Sequence, residues 1–423
     1  MSLEECVAIP HPINMHHDHA AAGVLSSTPH VAAPGLDELA RARIAISIFF
    51  LVDGMTFGTW AALIPSFQQK FTLSAGGLSW VLVGLVVGAM GSMSAAGRLS
   101  AAWGSHRTCR VAGLVFPSSL LALMLAPTHG CLIAAAVLFG ACKGLLDISI
   151  NAQGIHVENA IGRPIISSLN GFWSFGGLAA AGTLSLALHH GVSASTLLGV
   201  MAFALVTTTL LSAGSLLPER PAPAPATSGT AWTLPDGRLL RLGALAFLAL
   251  FSEGVMLDWS AVYAHTVAHV SLATAPVAFA AFSVCMAAGR FTGDAFTARW
   301  GTLAALRASA ALMVVGTAVA TGLRTWPATL AGFMVVGFGL ANLVPILFRA
   351  AGRVHAHGAG PGVAAVSTLG YTGFLCGPPA VGFLAAVAGL PVSFGLVIVF
   401  GLVLAVVGGP VISAALQQQP AAC

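Results

Sequence analysis

Four acidic residues stand inside long apolar stretches of this 423-residue chain: Asp53, Asp147, Glu253 and Asp258. An ionised carboxylate at bilayer depth costs about 2.5 kcal/mol or more, so each must face water or a partner. An acid that gains and loses its charge there is suited to carrying a proton. Glu253 has no basic residue within a turn on its own stretch. That predicts a neutral acid and makes Glu253 the first proton-exchange candidate, with Asp53 and Asp147 as the others. Asp147 follows Lys143 by four residues, so the two share a helix face and can neutralise each other. Asn151 continues that face. Asp53 stands beside Gly54 and Gly58, which permit close helix packing and a buried hydrogen bond. Asp258 lies nearer the end of its stretch, where water would wet it.

Rings and amides complete the set. Asn170 and Trp173 are three apart, and Trp259 and Tyr263 are four apart, each pair on one helix face. A ring beside polar groups suits stacking on a sugar, while Trp and Tyr near span ends also serve as interfacial anchors. Asn151, Asn170, Trp173, Asp258, Trp259 and Asn342 are the substrate-cavity candidates. Arg98, Arg290, Asp294 and Arg299 read as a latch at one membrane face. The sequence contains no HExxH, GxSxG or P-loop, so no enzyme is expected. The seven cysteines are scattered without CxxC spacing. The tail carries His11, His16, His17, His19 and His30 at irregular spacing. No metal site and no cofactor are expected.

The elements that position these residues are helices in lipid. Only 7% of the residues are charged and 57% are hydrophobic, against roughly 25% charged in a typical soluble chain. Twelve apolar runs lie near 44–67, 76–97, 109–127, 130–150, 166–188, 193–217, 239–264, 273–296, 302–323, 327–349, 361–389 and 392–415. Each is near the ~20 residues that span a bilayer. None alternates as barrel strands do, so the class is an all-α integral membrane protein. The acids fall on spans 1, 4 and 7. The Pro/Ala-rich stretch 218–238 separates two six-helix bundles, 44–217 and 239–416, between a tail at 1–43 and another at 417–423.

Fourteen of the seventeen Lys and Arg fall on one set of connections, leaving Lys70 and Arg324 on the other and Lys143 inside span 4. Positive loops stay in the cytoplasm, so both termini are expected there. The same asymmetry accounts for the pI near 8.8 and leaves no role for nucleic acid. The halves also look repeated. Asp53-Gly54 with Trp60 matches Glu253-Gly254 with Trp259. Gly97-Arg98 and Trp103-Gly104 match Gly289-Arg290 and Trp300-Gly301. Repeated bundles of this kind are commonly secondary transporters with the substrate held between the repeats.

The loop after span 2 (Gly97, Gly104, Arg107) and the loop after span 8 (Arg299, Gly301) resemble the signature loops of the major facilitator superfamily. Ala101 and Ala102 replace its Asp-Arg pair in the first loop, and Ala298 replaces its Asp in the second, with Asp294 one turn earlier. Four segments resemble the fucose permease-like branch of bacterial inner-membrane proteins: DISINAQGIHVENAIGRPIISSLNGFWSFGG from Asp147, EGVMLDWSAVYAH from Glu253, AAGRFTGDAFTARWG from Ala287 and GLANLVPILFRAAGR from Gly339. A fifth, STLGYTGFLCGPPAVGF from Ser367, agrees with them. The resemblance implies two six-helix bundles with a cavity lined by spans 1, 4, 7 and 10, where span 10 offers Asn342. It implies a monomeric, proton-coupled symporter of the bacterial inner membrane, taking up a sugar-like solute by alternating access. Export of a metabolite or drug is the second reading, and a non-transporting receptor a third.

A topology test follows. Cysteines placed singly at Ser193 and Ser228 in a Cys-free background are probed on intact cells with an impermeant thiol reagent. The expected result is labelling at Ser193 alone. Labelling at Ser228 alone would reverse the orientation.

Overall fold

The computed structural model describes residues 35–163, 165–219, 236–354 and 359–417, a few side chains within them excepted. The histidine-containing tail and most of the 218–238 connection lie outside the described residues. Regular structure there is α-helical: α1 Leu36–Lys70, α2 Ala75–Trp103, α3 Ser105–Leu125, α4 His129–Ile161, α5 Ile166–His189, α6 Ala194–Ala213 and α7 Gly237–Thr266. The order continues with α8 Pro276–Trp300, α9 Thr302–Leu323, α10 Trp326–Gly352, α11 Ala359–Ala388, α12 Leu390–Ser393 and α13 Gly395–Gln417. Twelve of these helices are long and apolar enough to cross a membrane, as the hydropathy pattern predicts.

Hydroxyl and carboxylate caps set the helix starts. Ser74 accepts from Gly77 N at 3.1 Å, Thr128 from Cys131 N at 3.2 Å and Ser193 from Thr196 N at 3.1 Å. Each satisfies a donor that the first turn leaves orphaned. Two helices outrun their apolar spans. α1 begins at Leu36, with Asp37 and Glu38 in a first turn that favours anions. α4 continues to Ile161, where left-handed Gly162 (φ 74°) stops it. Hydropathy reports only the apolar part of a helix, so neither extension shows in it.

The two halves pack by one scheme. In the first half the shared partners are α1–α4, α1–α5, α1–α6, α2–α4, α3–α4 and α3–α6. In the second they are α7–α10, α7–α11, α7–α13, α8–α10, α9–α10 and α9–α13. Adding six spans to each helix of the first set gives the second, while α1–α3 in the first half and α7–α8 in the second pack without a matching pair of comparable extent. The turn after α2 at Gly104 (φ 84°, ψ 145°) recurs after α8 at Gly301 (φ 82°, ψ 158°), an offset of 301 − 104 = 197. The Trp-Gly match seen in sequence therefore holds. The match of Gly97-Arg98 with Gly289-Arg290 does not, because its offset is 289 − 97 = 192. Arg98 and Arg290 are not structural equivalents.

Glycines bring the helices together at equivalent places. A Cβ on Gly140 of α4 would strike the Leu85 carbonyl of α2, and one on Gly337 of α10 would strike the Phe282 carbonyl of α8. Likewise Gly54 lies on the Trp173 carbonyl (α1–α5) and Gly254 on the Phe374 carbonyl (α7–α11). Lipid offers no hydrophobic drive between helices, so close packing through small residues carries their association.

Strand-free alternation puts Leu36, Ala213, Gly237 and Gln417 at one end of the bundle, the terminal face. Between halves the packing pairs are α2–α11, α5–α8, α1–α7 and α1–α8. They are tightest at the far face. There the Trp80 and Phe383 rings meet edge to face at 5.3 Å, Ala386 lies against Gly76, and Ser185 Oγ donates to Ala273 O at 2.6 Å.

The seams make a stability prediction. Gly140→Ala and Gly337→Ala each force backbone apart and are expected to cost about 1–3 kcal/mol, the usual range for overpacking. Gly182→Ala faces open space and should leave thermal unfolding in detergent unchanged. Equal losses at all three positions would show that the seams are not tight.

Candidate functional site

Lys143 is the centre of the first charged cluster. Its Nζ lies 3.1 Å from Asp53 Oδ2 on α1 and 3.2 Å from Asp147 Oδ1 one turn along α4. The Asp147–Lys143 spacing is legible in sequence, whereas the link to Asp53 depends on the α1–α4 packing. Asp53 is fully buried, Lys143 is 14% exposed and Asp147 is 35% exposed. Asp53 Oδ1 has no hydrogen-bond partner among the described residues, although the Trp173 indole lies beside it. Two carboxylates thus share one ammonium, a net charge of −1 when all three are ionised.

The second cluster corrects an expectation. Glu253 is not an acid without a cation. Arg290 Nη2 of α8 donates to Glu253 Oε1 at 2.9 Å. Reading along α7 alone missed a partner that comes from the neighbouring helix. Arg290 is correspondingly not part of a latch at the membrane face. Glu253 is 7% exposed and Arg290 34%, so the pair is buried on the acid side and wetted on the other. At such separations the attraction is of order 4 kcal/mol at an effective dielectric near 20. That offsets most of the cost of holding both charges at depth.

Other candidates fall elsewhere. Asp258 is buried, not wetted. The Trp60 indole of α1 lies near it, yet neither Asp258 Oδ1 nor Trp60 Nε1 completes a hydrogen bond. Trp259 is fully buried and its Nε1 donates to Pro378 O at 2.9 Å, tying α7 to α11. It is a packing residue and not a cavity lining. Tyr263 is equally buried and donates to Ala320 O at 3.1 Å. Asn151 and Asn170 return their amides to their own helices, at Asp147 O (2.8 Å) and Ile166 O (3.0 Å). Asn342 is buried against Gly293 of α8. Trp173 does face the interior. It lies 6.3 Å from Phe57, and both line a cleft of about 10 Å³ with Gly54, Leu257, Phe279 and Met286. That volume holds roughly one water.

At the terminal face, Arg98 and Arg299 are exposed, and the side chain of Asp294 lies outside the described residues. The polar network there is different from the expected latch. Glu219, just after α6, accepts from Ser105 N at 3.0 Å and from Ser105 Oγ. Gln153 of α4 donates to Leu217 O at 2.9 Å, and Glu219 N donates to His106 Nδ1 at 3.2 Å. A carboxylate from a distant segment thus caps α3 where the loop itself carries Ala101 and Ala102. Among the described residues, no group of three or more His, Cys, Asp or Glu is placed to hold a metal ion.

Sequence reading also missed Tyr371 of α11. It is 52% exposed, and the charges of Asp147, Lys143, Glu253 and Arg290 all act on it. Charges from both halves thus lie near one side chain, and Asp147, Arg290 and Tyr371 each keep part of their surface open. The two clusters, one on α1 and α4 and one on α7 and α8, therefore flank Tyr371 from opposite halves.

No family model matches the chain. It is 34% identical over 364 residues to an uncharacterized MFS-type transporter of Yersinia pestis, covering 86% of this chain and 93% of that one. It is 32% identical over 365 residues to the uncharacterized transporter y4wD of Sinorhizobium fredii, covering 84% and 94%. Neither name carries the fucose permease branch. A mutant of the nucleoside transporter NupG superposes with a TM-score of 0.72 at 13% identity, over 89% of this chain and 100% of that chain, which shows the fold. With about a third of its residues shared along nearly the whole of both chains, and that fold to match, the protein belongs to the major facilitator superfamily of membrane transporters.

Proposed function

We propose that this transporter takes up a small neutral polar solute by alternating access, driven by the co-transport of a proton. The supporting observation is the pair of charged clusters, one on each half, that flank Tyr371 at bilayer depth. The proton site in this reading is the trio of Asp53, Lys143 and Asp147. One proton brings its net charge from −1 to 0, which removes the uncompensated charge that lipid-depth burial penalises. Glu253 already has Arg290 and needs no proton to be neutralised, so the first role passes from Glu253 to the trio. Closure at the far face, together with the charge asymmetry of the loops, supports an inward-facing state with both termini in the cytoplasm of a bacterial inner membrane. The solute is neutral because the cations of both clusters are already matched by acids. The sugar-like expectation from the fucose permease resemblance and the nucleoside named for the structural neighbour are both of that kind.

The test is uptake of L-fucose, D-xylose and uridine into proteoliposomes with and without an imposed pH gradient. Gradient-driven accumulation of at least one compound is expected. Asp53→Asn mimics the protonated trio and should abolish accumulation while leaving solute exchange at equal pH. Accumulation by Asp53→Asn at the parental level would sink the trio as the proton site. Absence of flux with any compound would favour a receptor.

The second cluster has its own check. Arg290→Gln strands Glu253 and should lower the unfolding midpoint, and adding Glu253→Gln should recover part of the loss. A coupling of about 1–3 kcal/mol between the two changes is expected. Strictly additive losses would exclude the pair.

A further inference from the structure

Tyr371 is one of only two tyrosines in the chain, and the two are used differently. Tyr263 is buried, with its hydroxyl committed to Ala320 O. Tyr371 Oη has no hydrogen bond to protein among the described residues, and its ring is 52% exposed. Its position is set by a glycine seam. Gly370 lies against Leu250 and Ala246 of α7, Gly373 against the Phe247 carbonyl and Gly377 against the Phe251 carbonyl. The Phe374 carbonyl abuts Gly254, the neighbour of Glu253. Residues 370, 373 and 377 therefore hold α11 on α7 at the level of Glu253. One residue on from Gly370, about 100° around the helix, the Tyr371 side chain turns off that seam. With half its surface open, it stands near Asp147 and Lys143 of the other half as well as Glu253 and Arg290 of its own.

A phenol at that point is an uncharged donor and acceptor between two clusters whose own charges are largely matched. Resting on the transporter reading above, we propose that Tyr371 is the hydroxyl that binds the polar edge of the solute and sets its affinity. The ligand class is a neutral molecule bearing hydroxyl or amide groups, which can exchange hydrogen bonds with the phenol without adding a charge. A buried charge added by an anionic solute would meet a site that already sums to −1 when unprotonated.

Two arms test this. In the first, Tyr371→Phe removes only the hydroxyl. For whichever of L-fucose, D-xylose or uridine the parent takes up best, the half-saturation concentration should rise about three- to tenfold, the worth of one net hydrogen bond. The maximal rate and the pH dependence of accumulation should stay as in the parent. An unchanged half-saturation, or a changed pH dependence at unchanged half-saturation, overturns the proposal. In the second arm, Tyr371→Cys in a Cys-free background is exposed to cationic and anionic methanethiosulfonates of similar size. Reaction from the terminal face, faster with the cationic reagent, is expected. Slow reaction with both, or reaction from the far face alone, overturns the placement of Tyr371. If the parent transports none of the three compounds but the thiol arm behaves as expected, the transport reading fails and the interior position of Tyr371 stands.

Discussion

An ionised carboxylate is costly without a partner at bilayer depth, and the packing around Asp53, Asp147 and Glu253 is arranged to supply one. Asp53 is fully buried on α1, and the ammonium that meets it comes from α4. Glu253 is nearly buried on α7, and the guanidinium that meets it comes from α8. Neither pairing exists within one helix. Each needs two helices held at a fixed distance, while the glycine contacts beside the acids hold a third helix against the same place. Gly54 seats α1 on α5 immediately beside Asp53, and Gly254 seats α7 on α11 immediately beside Glu253. The acids and the seams are adjacent in sequence because the same close approach that packs the helices excludes lipid from the charge.

The repeat gives this arrangement twice with different cations. Both halves share one packing scheme, and the acids on α1 and α7 sit at equivalent points. The cations do not. Lys143 belongs to the fourth span of its half, and Arg290 to the second span of the other half. The first half keeps a second acid, Asp147, one turn from Lys143, whereas in the second half Asp294 stands one turn from Arg290 with its side chain outside the described residues. Among the described side chains, one cluster is a balanced pair and the other carries one acid more than its cation. In the proton-coupled reading proposed above, that asymmetry lets one half answer to protons while the Glu253–Arg290 pair stays fixed.

Most of the fold was legible in the sequence, and part of the site was. Twelve spans, their order and the acids on spans 1, 4 and 7 follow from hydropathy, because lipid leaves a helix few alternatives. The Lys143–Asp147 contact follows from a spacing of four. What failed is what depends on a second helix. Glu253 looked partnerless because a chain read in one dimension shows only neighbours on the same helix. Trp259 looked like a stacking ring, yet its indole closes a bond to α11. Asp258 looked wetted, because closeness to a span end says nothing of what the other half places over it. Tyr371 was passed over inside a segment used only for its likeness to a family. Nothing along α11 marks it until α11 is laid on α7.

The imbalance of two acids against one lysine has an electrical side. When water reaches the site first from one membrane face and then from the other, the site moves from one end of the transmembrane field to the other. Work against that field is roughly 2.3 kcal/mol per elementary charge per 100 mV. In the proton-coupled cycle proposed above, the protonated trio is neutral and crosses without doing such work, with a neutral solute beside it. The empty, unprotonated trio carries −1 and bears the full work on its return. The Glu253–Arg290 pair sums to zero and adds nothing in either direction. In that proposed cycle the voltage-sensitive step is the return of the empty carrier, and the membrane potential governs how often the site is offered rather than how tightly it holds.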